Sequence, residues 1–243
     1  MRSLILGLLA SATVFGLPSM PAHAGSFSIS PIRLDLSAAS RTAAMTVRND
    51  EREALVQAEV MLWEQVAGED RLTPTRDLLV SPAVFTLPAK GSQLVRVALR
   101  SSPVDTTREL SYRLILQEVP QKANPEFTGL QVALRLSVPI FVANKGTTEP
   151  EIAWSAATSD HGLTLTAKNT GDVHTRIHGF SVAPATGDAE PLVQSVGSYL
   201  LPGQARSWSL GKGDASTADW ARVRLKVSTE DGESEIDLDA TGE

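Results

Sequence analysis

The sequence predicts an all-β protein built as two β-sandwiches. Helix signals are scarce beyond residue 24, while short runs alternate apolar and polar residues with a period of two. Clusters rich in Pro, Gly, Asn, Asp and Ser punctuate those runs at fairly regular spacing. About 219 residues remain after the N-terminal segment, enough for one large all-β domain or two of ordinary size.

Residues 1–24, "MRSLILGLLASATVFGLPSMPAHA", hold one charge at Arg2, an apolar run from Leu4 to Leu17, and a small-x-small site at Ala22-His23-Ala24. That is the layout of a secretory signal peptide, and the run is too short for a membrane anchor. The mature chain is expected to start near Gly25, to be exported, and not to insert in a membrane.

In the first half, "FSISPIRLDLS", "AAMTVRND", "ALVQAEVMLWEQV", "QLVRVALR" and "LSYRLILQEV" read as strands separated by turn-prone segments such as "AGEDRLTPTRD" and "LPAKGS". The third has the composition of a helix, but Val56, Ala58, Val60 and Leu62 alternate against Gln57, Glu59 and Met61, which favours a strand. The longest alternation is "GLQVALRLSVPIFV", with Leu130, Val132, Leu134, Leu136, Val138 and Ile140 on one parity. About 11 residues exceed the usual strand of roughly 5–6. On periodicity alone, this row packs inside its own sandwich.

"ANKGTTEPE", from Ala143 to Glu151, breaks the pattern and reads as a linker, dividing the chain into domains at 25–145 and 146–243. A single larger sandwich is the alternative. Beyond the linker "EIAWSA", "GLTLTAKNT", "TRIHGFSV", "QSVGSYLLPG", "QARSWSL" and "ARVRLKVST" resume the strand pattern, and the acidic end keeps Ile236 and Leu238 at strand spacing. Neither half shows a clear internal repeat.

The formal charge of −6 argues against a nucleic-acid binder, and removal of Arg2 with the signal leaves the rest more acidic still. There is no cysteine, so thiolate metal sites and cysteine nucleophiles are excluded and the exported chain must be held by packing. "HTRIH" places His174 and His178 four apart, roughly 13 Å along a strand, which rules out a shared metal ion and suggests solvated strand histidines. No nucleophile elbow, phosphate loop or Ca²⁺ loop is present, so nothing points to an enzyme. Two arginines stand out: Arg33, on the parity of Phe27, Ile29 and Pro31, and Arg113, on the parity of Ile115 and Val119. Each either snorkels to water or holds an anion; periodicity alone favours snorkelling.

Together these segments resemble the periplasmic pilus chaperones of the chaperone–usher pathway. "SFSISPIRLDLSAASRTAAMTVRNDE" is similar to that family's first two strands, with an early arginine and an Asn-Asp end. "LLVSPAVFTLPAKGSQLVRVALR", through Ser81-Pro82, Phe85, Leu87-Pro88, Gly91 and Gln93, and "ELSYRLILQEVP" match its following segments. The similarity is close over most of 26–142 and looser through "LTLTAKNTGDVHTRIHGFSV" and "YLLPGQARSWSL". It implies two immunoglobulin-like domains set in an L with an interdomain cleft, no enzymatic activity, and no cofactor, nucleotide or metal. The implied partners are pilus or fimbrial subunits, completed by a strand lent from the chaperone, and an outer-membrane usher. The same row offers the free protein a route to self-association.

By position, Leu130, Val132 and Leu134 match the lent residues and Leu136 extends the row, while Arg33 matches the cleft arginine that holds the subunit's C-terminal carboxylate. Family members carry a lysine on the last strand just ahead of its Phe or Tyr. Here that place is Pro139, a departure that suggests a divergent branch. Arg113 is the first substitute for the missing cation and Arg135 the second. The remaining alternatives are an exported immunoglobulin-like subunit or adhesin of a surface fibre, and an exported enzyme.

Overall fold

A computed structural model describes residues 27–101, 107–120, 132–144, 146, 149–160, 162–186, 189–211 and 220–242. Residues 1–24, read above as a signal peptide, and Leu130 lie outside these residues. Among the described residues every regular element is a strand, and no helix is long and apolar enough to cross a membrane.

The first domain contains β1 (Phe27–Ser30), β2 (Leu34–Ser37), β3 (Thr42–Asn49), β4 (Ala54–Val66), β5 (Glu69–Pro74), β6 (Leu78–Ser81), β7 (Val84–Leu87), β8 (Ser92–Leu99), β9 (Leu110–Glu118) and β10 (Arg135–Ala143). One sheet runs β1-β3-β8-β6. The other runs β2-β10-β9-β4-β5, with β7 also paired to β4. Alternate residues of the two sheets, among them Val47, Val56, Val97, Leu114 and Ile140, meet in one core, as sandwich packing requires.

The segment with helical composition is the 13-residue strand β4. Its buried residues are Ala54, Val56, Ala58 and Val60, then Trp63 and Gln65. The parity of burial changes because the far end of its outer face is covered by the second domain. β9 and β10 show the same double use. Tyr112, Leu114 and Leu116 of β9, and Val138, Ile140 and Val142 of β10, enter the core, while Ile115 and Phe141 are buried on the opposite parity.

The second domain contains β11 (Ile152–Ser159), β12 (Gly162–Asn169), β13 (Thr175–Pro184), β14 (Leu192–Leu200), β15 (Ala205–Leu210), β16 (Arg222–Thr229) and β17 (Gly232–Gly242). Its strands form one path, β14-β13-β16-β17-β11-β12-β15. β17 pairs with β16 from Gly232 to Asp239 and continues beside β11 from Ala240, so it belongs to both halves. The sheet closes over Leu163, Leu165, Phe180, Val182, Leu225 and Trp220.

A repeat that the sequence did not reveal appears in the corners. Asn49 closes β3 and Asn169 closes β12, both buried. In each, Oδ1 accepts the backbone N–H two residues on, at Glu51 and Gly171. Each Nδ2 donates across the corner, Asn49 to Leu87 O and Pro88 O, Asn169 to Val173 O and Leu200 O. Both partner segments contain Leu-Pro followed by Gly, at 87–91 and 201–203. Three or four shared residues in each half are too few to register as sequence periodicity. Buried groups left unpaired cost about 1–3 kcal/mol each. Asn169→Leu is therefore expected to lower unfolding free energy by at least about 2 kcal/mol in a urea titration; a loss below about 0.5 kcal/mol would show that the corner is not structural.

Candidate functional site: an open strand edge and a cationic cleft

The apolar row divides along its length. Val138, Ile140 and Val142 are fully buried in the first core, Leu136 packs against that core while half-buried, Leu134 is half-buried, and Val132 is 44% exposed. The row thus begins outside its own sandwich and ends inside it. The strand is also shorter than the alternation suggests, starting at Arg135 rather than near Leu130. The ladder reaches one residue further: Glu118 N donates to Leu134 O at 2.8 Å, and Leu134 N donates to Glu118 Oε2 at 3.2 Å. β9 then gives way to Val119-Pro120, and proline brings no N–H to continue pairing.

These bonds fix which way the backbone of β10 faces. In an antiparallel ladder a residue directs its N–H and C=O to the same neighbour, alternating along the strand. Leu134 faces β9, so Arg135, Ser137 and Pro139 face the other side. There β2 pairs in parallel only with Ile140 to Ala143. Among the described residues, the opposite edge of Arg135–Pro139 has no strand beside it. The lost N–H of Pro139 points to this edge and leaves the β9 ladder intact.

Pro139 stands directly across from Arg113, and with Leu134–Glu118 bonded this pair falls on the non-bonded alternation, where side chains are closer. The Arg113 guanidinium lies over the Trp63 ring, 3.6 Å from its centre, and 5.7 Å from that of Tyr199. Its carboxylate partner, Asp70, is 3.9 Å away. Burial lowers the Arg113 pKa, Asp70 and Tyr199 offset part of this, and repulsion from Arg176 adds to it. Arg33 donates from Nη1 to Glu230 Oε2 at 2.9 Å across the domains and from Nε to Asp35 at 3.3 Å. Burial alone would lower its pKa, but Asp35 and then Glu230 outweigh it and hold the group raised. Arg135 is exposed and stands across from Gln117, four residues along β10 from Pro139.

The domains are joined beside these arginines. Trp63, Phe141 and Leu201 form a small core with Tyr199 and Leu72 at its edge. Phe141 stacks on His174 with ring centres 3.4 Å apart, and Tyr199 meets Trp63 edge-on at 5.6 Å. His174 Nδ1 lies 2.6 Å from Glu109 Oε1, within hydrogen-bond distance. Its Nε2 is 3.4 Å from Glu230 Oε1 without hydrogen-bond geometry. Gln65 ties the domains again, donating to Tyr199 O and accepting from Leu201 N, both at 3.0 Å. The solvated reading of "HTRIH" is therefore corrected: His174 is buried at the junction, while His178 is exposed on β13. Among the described residues no group of three or more His, Cys, Asp or Glu could hold a metal ion. A concavity of about 650 Å³ over β13, β14, β16 and β17, lined in part by His178, Val193 and Lys226, lies apart from the arginines.

Sequence reasoning had singled out neither Trp63, Tyr199 nor Arg176. Trp63 was readable in principle, since a Trp off the core parity of an apolar strand requires a second surface to cover it.

An all-β protein of two immunoglobulin-like domains, with a half-open apolar strand beside an arginine-rich junction, is the class so defined. The profile of the pili and flagellar-assembly chaperones, PapD N-terminal domain, matches residues 26–147, and the chain belongs to that family. Its membership is that of a non-enzymatic chaperone. No curated protein matches the sequence. Among solved structures, the fold is similar to the CsuC–CsuE chaperone–tip adhesion subunit pre-assembly complex from archaic chaperone-usher Csu pili of Acinetobacter baumannii. There the identity is 21% and the TM-score 0.64, over 89% of this chain and 99% of that one. The YadV chaperone is 17% identical with a TM-score of 0.63, over 87% and 99%. The Salmonella enterica SafA pilin–SafB chaperone complex gives 17% and 0.61, over 90% and 98%.

Proposed function

We propose that this chain is a periplasmic chaperone that binds pilus subunits by adding its own strand to them, and that it passes them to an outer-membrane usher. The carrying observation is the half-open edge of β10, preceded by Val132, which is exposed, and Leu134, which is half-buried, on the parity of the core-facing row. Strand addition draws on both features: main-chain bonds give binding, and alternate side chains fill pockets. An incomplete subunit needs both, because its missing strand leaves an unpaired edge and an open core. The similar Csu and Saf structures are complexes of chaperones with a tip adhesion subunit and a pilin. The signal-like segment at 1–24 supports a periplasmic location. On this reading residues 25–145 form the strand-lending domain and 146–243 the second, and the exposed row is also the surface for self-association of the free protein.

The anchoring of the subunit's C-terminal carboxylate falls to Arg33 with Arg113. Arg113 faces Pro139 and so presents its charge at the level where a lysine of the last strand would sit, whereas Arg135 stands four residues away along β10. Arg33→Ala removes an exposed ion pair worth about 0–1 kcal/mol, so the melting temperature should hardly move. Recovery of a co-expressed pilus subunit should instead fall several-fold, and Arg113→Ala should behave alike. Unchanged recovery with Arg33→Ala would sink its anchoring role, and a fully active Arg113→Ala would transfer the second role to Arg135.

A further inference from the structure

Glu118 closes β9 on the parity of Leu114 and Leu116, which fill the first core, and it is buried. A carboxylate on that face is costly to desolvate unless partners compensate it. The partners lie outside β9. Glu118 Oε2 accepts the backbone N–H of Leu134 at 3.2 Å, and Oε1 pairs with the exposed Arg52 guanidinium at 3.6 Å.

The first of these contacts stands in for a main-chain bond. In a complete antiparallel rung, Leu134 and Glu118 would exchange two backbone bonds. One is present, from Glu118 N to Leu134 O at 2.8 Å. In the other direction Leu134 N donates to the carboxylate in place of the Glu118 carbonyl. No further rung follows on β9, because Val119 N turns to Leu55 O and Pro120 has no N–H. The mixed rung therefore falls at the last place where the apolar row is held, two residues from the exposed Val132.

We propose that Glu118 is a positioning residue for strand lending: its carboxylate is a side-chain rung that keeps Leu134 extended and in line with β10. Val132 and Leu134 then meet a subunit already in strand conformation. This rests on the strand-lending reading and names a residue that it requires. Without the rung, the start of the row would have to be ordered at the moment of binding, an entropic cost that preorganisation removes. Arg52 holds the far oxygen of the same carboxylate and so turns the near one toward Leu134.

The test uses the full mature chain. Hydrogen exchange at the Leu134 amide is read in the free protein, against the amide of Ile140, which is paired with Tyr112 deep in the same ladder. Capture is read as recovery of a co-expressed pilus subunit. Glu118→Ala should lower Leu134 protection at least about tenfold more than that of Ile140, and recovery should fall several-fold. Glu118→Gln keeps an acceptor of the same reach without the charge and should restore both. Glu118→Asp keeps the charge but is one methylene shorter, and it should resemble Glu118→Ala; the Gln and Asp variants carry the test if the Ala variant does not fold. A fall at Leu134 no larger than that at Ile140 marks a general loss of stability and overturns the rung. Rescue by Asp instead of Gln assigns the effect to charge and overturns it as well. Lost protection with undiminished recovery overturns the positioning role. Val132→Asp separates the two readings. If it abolishes capture while Glu118→Ala does not, strand lending stands without Glu118. If neither touches capture, strand lending fails, and with it any role for a rung that the exchange data still show.

Discussion

Val132→Asp should abolish capture of a pilus subunit while leaving the chaperone's own unfolding midpoint where it was. Val132 is 44% exposed and lies before the start of β10, so the free protein gives up little when its side chain becomes charged. In the bound state the side chain would enter an apolar groove. There the variant forfeits about 1.5–3 kcal/mol of burial and must in addition desolvate a carboxylate. At roughly 1.4 kcal/mol per factor of ten, affinity should fall by at least about a hundredfold. Leu134→Asp should act in the same direction. Leu136→Asp should differ, because Leu136 already packs against the first core and its loss lowers stability as well as binding. Co-purification of the subunit, read beside thermal melts of the three free variants, separates these outcomes. Undiminished recovery with Val132→Asp would remove β10 as the lent strand.

The second large effect is on the junction. Phe141 is 2% exposed on the outer face of β10, stacked on His174 and in contact with Trp63 and Tyr199. Truncating a buried Phe costs about 3–5 kcal/mol in a well-packed site. Here much of that loss falls on the coupling between domains, because Phe141 and Trp63 come from one side of the junction and His174 and Tyr199 from the other. Calorimetry should show one transition for the parent and two for Phe141→Ala, the lower one moved down by several degrees. An unchanged trace would mean that Glu109, Gln65 and Arg33 hold the domains together without the rings.

The two-sandwich architecture was legible because strand alternation and turn residues carry it locally. Val56, Ala58 and Val60 announce a face; Leu163 and Leu165 do the same in the second domain. What alternation cannot supply is the partner on the other side of a strand. The row is uniform in sequence from Val132 to Ile140, yet Val138 and Ile140 are core while Leu134 is half-buried and Val132 exposed. Likewise β2 stands beside β10 only from Ile140 onward and β9 ends at Glu118, and both are properties of neighbours distant in the chain. His174 was misjudged for the same reason. Its burial comes from Phe141 and Glu109, and nothing near it in the sequence hints at either. Arg176 stayed invisible because a cation on a strand gives no periodic signal; only its convergence with Arg113 on Tyr199 distinguishes it.

The short open edge of β10 has a consequence for residence time. Within the strand, Arg135 and Ser137 are the residues that offer both a donor and an acceptor to an added strand, with Pro139 closing the run at one end. At about 0.5–1.5 kcal/mol net for each hydrogen bond, so brief a ladder contributes only a few kcal/mol. The lifetime of a complex is then governed chiefly by how well Val132 and Leu134 fit the groove. On the proposed strand-lending reading, a competing strand with a better-fitting row would displace the chaperone starting from the Val132 end. On this account the pace of hand-over is written in the fit of a few aliphatic side chains, and a chaperone with a longer unbroken edge would hold its cargo too long to be useful.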